Sequence, residues 1–158
     1  LLVPAAQGGP PRPVRLRPVS EFEQLYSGRL WSLLSWQQLT DFWARIDRGA
    51  GWYLYAVGEP VPTAPAAAAE VERFIAETDA LLRKEHHHDY CGIVYADDVE
   101  APRIVKIYDP NNLGVSCGFS KNPPPPGWVM SRVPPVEVQR TGPLPESRRR
   151  WWQSLFLG

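Results

Sequence analysis

The chain has 158 residues, the size of one ordinary domain, and its seven Trp, six Tyr and five Phe supply large apolar surfaces for a single core. Lys plus Arg (17) equals Asp plus Glu (17), so no overall field draws the chain to nucleic acid or to an anionic membrane. No stretch approaches the roughly 20 apolar residues of a membrane span, and Pro4 cuts short the apolar start Leu1-Leu2-Val3, so no secretory leader is recognised and a cytoplasmic location is expected.

Residues 1–19 are rich in Pro, Gly and Arg, including Arg12, Arg15 and Arg17, and read as an extended arm. Ser20 followed by Glu23 has the spacing of a capping box, which starts a short helix to about Tyr26 with Phe22, Leu25 and Tyr26 on one side. Ser35 and Gln38 repeat the signal. The helix after them carries Leu39, Phe42, Trp43 and Ile46 at i, i+3, i+4, i+7, a core-facing stripe. Gly49 and Gly51 end it, and residues 52–57 follow as a strand rich in aromatics.

A second helix of about 20 residues is expected over residues 66–85. Val71, Phe74, Ile75, Thr78, Leu81 and Leu82 form its apolar stripe, and Arg83 and Lys84 sit where the helix dipole favours cations. Three strands are then expected at residues 90–96, 103–108 and 115–119. The acidic loop 97–102 and the Asp109-Pro110-Asn111-Asn112 turn separate them. Strand, long helix and strand in that order suit a parallel pairing of residues 52–57 with 90–96, whereas the hairpin must be antiparallel. Residues 128–133 add a possible edge strand.

Together these elements make an α+β class: one small domain over residues 20–133, with a mixed, mostly antiparallel sheet of about four strands and helices on one face. Beyond it, residues 134–145 read as a proline-containing linker. Residues 146–158 read as a basic-aromatic helix, so both ends of the chain are expected as extended, proline-rich arms.

Four groups of residues invite a chemical reading. His86, His87 and His88 with Cys91 are residue types that ligate zinc, which makes His86, His88 and Cys91 metal candidates. Against this, adjacent histidines point apart and no second His pair completes a tetrahedral set. Cys117 with His88 as base is the candidate for nucleophilic catalysis, but Cys117 falls in an expected apolar strand, which raises a thiol pKa. Cys91 and Cys117 are read as two buried thiols rather than a disulfide scaffold. Asp97, Asp98 and Glu100, and Asp109 with Asn111 and Asn112, lack the glycine and the terminal glutamate of a calcium loop and are read as turn formers.

The basic-aromatic C-terminus is the fourth. Trp128, Arg148, Arg149, Arg150, Trp151, Trp152 and Phe156 are of the types that anchor protein interfaces. The leading expectation is therefore a small accessory or adaptor protein that binds a larger protein partner, its tail the docking element, without a cofactor. Packing of the tail on its own domain, and weak contact with a membrane surface, are the other uses of that segment. The rival readings are a metal- or thiol-dependent enzyme or redox protein built on the His/Cys residues, and a small-ligand sensor with Trp52, Tyr53, Tyr55, Tyr95 and Tyr108 around a pocket.

Overall fold

The structure, a computed structural model, describes residues 18–113 and 124–156. Both capping boxes form. Ser20 Oγ accepts from Glu23 N at the start of α1 (Glu21–Tyr26), and Ser35 Oγ accepts from Gln38 N at the start of α2 (Trp36–Arg45). Between them lies the two-residue β1 (Trp31–Ser32). After α2 come β2 (Tyr53–Ala56), α3 (Ala68–Glu85), β3 (Val94–Ala96), β4 (Ile104–Ile107), β5 (Trp128–Ser131) and α4 (Glu146–Ser154).

One five-stranded sheet, in the order β1-β3-β4-β5-β2, carries these helices, and every pairing in it is antiparallel. Three expectations are corrected by this order. The sheet has five strands rather than four. β2 and β3 do not pair in parallel: β4 and β5 lie between them. At 1.5 Å per residue the 18 residues of α3 span ~27 Å, enough to carry the chain over that width before it re-enters the sheet. Finally, β5 is no edge strand. Its two sides hold β4, with Ile107 opposite Trp128, and β2, with Tyr55 opposite Val129. The strand expected at residues 115–119 lies outside the described residues.

Side chains alternate across this sheet as the period of two requires. Leu54, Ala56, Val94, Ala96, Val105, Ile107, Trp128 and Met130 face α2 and α3 and join the main core with Leu39, Phe42, Phe74 and Leu82. The opposite face carries Tyr55, Val57, Ile104 and Val129, and is covered by Phe22 and Leu25 of α1 and by Val133, Val136 and Val138. Helices therefore lie on both faces rather than one. The segment read as a linker lies along the sheet, where Tyr55 Oη accepts from Val138 N at 2.9 Å.

The acidic loop between β3 and β4 is explained by its own backbone. Asp97 Oδ1 accepts from Arg103 N and Ile104 N, at 2.8 and 3.0 Å, and Asp98 Oδ1 accepts from Glu100 N and Ala101 N. These carboxylates satisfy donors that a seven-residue connection leaves over.

Trp128, 3% exposed, fills the centre of the main core beside Trp151. Trp128→Ala is expected to cost about 3–5 kcal/mol in urea unfolding; a loss below about 1 kcal/mol would place this side chain outside the core.

Candidate functional site

Two constellations hold the chemically distinctive side chains, and they meet at the C-terminal end of α3. The first is centred on Arg148 of α4, which is 9% exposed. Its Nε and Nη2 donate to Asp109 Oδ2 and Oδ1 at 2.8 and 2.9 Å, and its Nη1 and Nη2 donate to Glu85 Oε2 and Oε1 at 3.0 Å each. Asp109 is itself fixed by the turn after β4: Oδ1 also accepts from Asn111 N, while Asn111 Nδ2 donates to Glu85 Oε1. One guanidinium thus joins the end of α3, the exit of β4 and the tail helix, with fork-to-carboxylate geometry on both sides. The paired carboxylates hold the Arg148 pKa above its ordinary value, chiefly through the Asp109 hydrogen bonds. The Arg148 hydrogen bonds hold Glu85 below the usual carboxylate range.

The aromatics of the tail follow from that clamp. Trp151 tilts against Trp128 with ring centroids 5.1 Å apart, Trp152 meets Phe74 edge-on at 6.0 Å, and Leu155 is buried. Arg73 Nη1 donates to Leu155 O, and Arg149 pairs with Glu59 at 3.2 Å. Of the residues expected to form a docking element, Trp128 and Arg148 are buried, Trp151 and Trp152 half-buried, and Arg149, Arg150 and Phe156 exposed.

The second constellation follows α3 directly. His86 is 6% exposed and its Nε2 donates to Cys91 O at 2.9 Å, so this nitrogen carries the proton. Burial pushes the His86 pKa down, and it pushes the buried Cys91 thiol up, away from the thiolate a ligand or nucleophile needs. His88 lies 4.7 Å from the His86 ring and stacks on Tyr90 at 5.3 Å. Trp36 adds its ring to His86 and donates Nε1 to His88 O, while Arg83 covers the Trp36 face at 5.1 Å. Among the described residues no three His, Cys, Asp or Glu side chains are gathered so as to hold a metal ion. His86 and Cys91 are brought together through a main-chain carbonyl rather than a shared ligand. Cys117, the expected nucleophile, lies outside the described residues.

Beside this cluster the sheet edge is open. Backbone bonds from Cys91 N to Leu34 O and from Gly92 N to Leu33 O extend the β1–β3 ladder to the base of the cluster. Leu34 and Tyr90 project there 61% and 57% exposed, with Trp31 of β1 53% exposed further along the edge.

Lys106 is the residue that sequence reasoning passed over. It sits mid-sheet on the α1 face, 9% exposed, with Nζ 3.6 Å from the centre of the Tyr26 ring. Burial lowers its pKa to about 8 and is the main cause raising that of Tyr26 to about 12. A lysine inside the β-branched run Ile104-Val105-Lys106-Ile107 was the available signal.

What the fold and these sites define is an α+β domain whose tail helix is clamped by one arginine and whose β1 edge exposes apolar side chains. Comparison with protein-family models, with curated proteins and with solved structures gives no match. Among the described residues no helix is long and apolar enough to cross a membrane.

Two outcomes follow. Arg148→Ala strips the partner from a buried and a half-buried carboxylate and is expected to cost about 3–5 kcal/mol in urea unfolding, far more than Arg150→Ala. Because the folded His86 pKa lies below its unfolded value of about 6.5, stability from its neutral form is full above that pH and is lost as pH falls towards the folded value. Unfolding free energy should therefore drop between pH 7 and 5, and less steeply in His86→Leu; parallel curves would remove His86 as the cause.

Proposed function

We propose that the protein is a small accessory or adaptor protein that acts by binding a larger protein partner through the β1 edge and the aromatic–histidine cluster beside it. The observation that carries this reading is the exposure of Leu34 and Tyr90 where the β1–β3 ladder ends. Of the six large hydrophobic side chains most open to water among the described residues, three (Trp31, Leu34 and Tyr90) belong to this edge. Removing such side chains from water supplies affinity, and Tyr and Trp are the types that do so with little loss of rotamer freedom. Arg83 is paired with Asp79 at 2.8 Å and Asp89 is exposed beside His87 and His88, so the matching surface is apolar at its centre with a mixed polar rim.

The tail enters the reading in a smaller role than its composition promised. Trp128, Arg148, Trp151 and Leu155 are engaged within the domain, which leaves Arg149, Arg150, Trp152 and Phe156 as a secondary contact region. The compartment proposed is the cytoplasm, where Cys91 remains a thiol.

The test is affinity capture with the full chain and with a Leu34→Asp, Tyr90→Ser variant. Both substitutions lie at exposed positions and should change stability by less than about 0.5 kcal/mol. The expected result is a protein recovered by the wild-type chain and lost with the variant at unchanged melting temperature. Equal recovery by both would move the interface elsewhere, and loss only with Arg150→Ala, Phe156→Ala would return it to the tail.

A further inference from the structure

Three arginines among the described residues are withdrawn from open solvent: Arg48, Arg140 and Arg148. Arg48 is paired with Glu72, and Arg148 with Asp109 and Glu85. Arg140 makes no hydrogen bond or ion pair with any described residue, and its Nε is buried without a partner. An unpartnered buried donor on a charged group costs more than a neutral one, so this nitrogen is poised for an acceptor that the described residues do not supply.

The surroundings are built to aim it. Residues 135–140 run extended along the sheet, and burial alternates along them. Glu137 and Gln139 are exposed, whereas Val138 and Arg140 are half-buried, with Val138 N donating to Tyr55 Oη. Gly58, at φ +105°, turns the chain at the end of β2; a Cβ there would sit 3.1 Å from Arg140 Cδ and 3.4 Å from Leu144 Cβ. The positive φ favours glycine here, and a side chain would also press on the arginine stem. Between these segments lies a cavity of about 530 Å³, lined by Tyr55, Gly58, Val138, Arg140, Leu144 and Arg149 among others. That volume matches sites for small organic ligands.

Charge selects among anions. Arg149 is already neutralised by Glu59 at 3.2 Å, and Glu137 stands on the rim. The cavity thus offers one uncommitted positive charge, held in a guanidinium fork that takes two oxygens side by side. A dianion would meet Glu137 with one cation to spare. Leu144, Pro143 and Val138 provide apolar wall for the rest of a ligand.

We propose that this cavity is a binding site for a small organic monocarboxylate with a compact apolar body, its carboxylate received by Arg140. The site lies at the β2 end of the sheet, at the edge opposite the β1 interface, and shares only Arg149 with the secondary contact region of the tail.

The experiment uses the full chain and benzoate as probe, followed by calorimetry and amide NMR, with inorganic phosphate as the second arm. Benzoate is expected to bind saturably and to shift the amides of Gly58 and Val138, with at least tenfold weaker binding in Arg140→Gln. In the wild-type chain benzoate should also slow phenylglyoxal modification at Arg140 at least fivefold, located by mass spectrometry, while exposed Arg150 reacts at an unchanged rate. This second readout holds if Arg140→Gln fails to fold. Equal benzoate affinity in Arg140→Gln, no protection of Arg140, no saturable binding, or binding of phosphate but not benzoate would each overturn the assignment.

Discussion

A single buried guanidinium determines how the C-terminal quarter of the chain is arranged. Arg148 answers two carboxylates from distant parts of the sequence, Glu85 at the end of α3 and Asp109 in the turn after β4. Among the described residues neither acid pairs with another arginine or lysine, and leaving the buried Asp109 and the half-buried Glu85 without a cation is more costly than bringing α4 onto the domain. The apolar consequences follow in register along α4: Trp151 reaches Trp128 three residues after the clamp, Trp152 reaches Phe74, and Leu155 closes the core. Composition made this segment look like an anchor for a partner; in the fold it is largely an anchor for its own domain.

With the tail so engaged, the surfaces left for function are set by the sheet. Both faces are covered, by α2, α3 and α4 on one side and by α1 with the chain after β5 on the other. Among the described residues the outer sides of β1 and β2 pair with no further strand. At β1 the exposed side chains are apolar and aromatic, suited to a protein surface. At β2 they surround a cavity with one uncommitted cation, suited to a small anion. An antiparallel sheet closed on both faces leaves its edges as places where backbone and side chains meet solvent together.

Much of the fold was readable from local signals. The two capping boxes, the apolar stripes of α2 and α3, and the alternation in β3 and β4 each rest on neighbours within a few residues; α1, α2, α3 and β4 formed close to their expected spans, whereas β3 is confined to Val94–Ala96 of the expected 90–96. Strand order was less readable, because whether β2 meets β3 or β5 depends on which strand the chain inserts between them. The site was least readable. Asp109 satisfied a turn rule by itself, and nothing near it in sequence announced a partner 39 residues away. His86 and Cys91 looked like metal ligands by type, yet in the fold His86 Nε2 donates to the Cys91 main-chain carbonyl rather than sharing a ligand with its thiol. Leu33 and Leu34 are adjacent and alike in sequence, and nothing local told the buried one from the exposed one.

The central claim is that α4 belongs to the folded domain, so that binding is carried by the sheet edges. Native-state hydrogen exchange of the full chain tests it most directly. If the claim is right, the amides of Trp152 and Gln153 open together with those of Leu82 in α3 and Ile107 in β4, with protection factors within about tenfold of each other. If α4 exchanges orders of magnitude faster while α3 and β4 remain protected, the tail is detached from the domain and is free to serve as the docking element its sequence suggests.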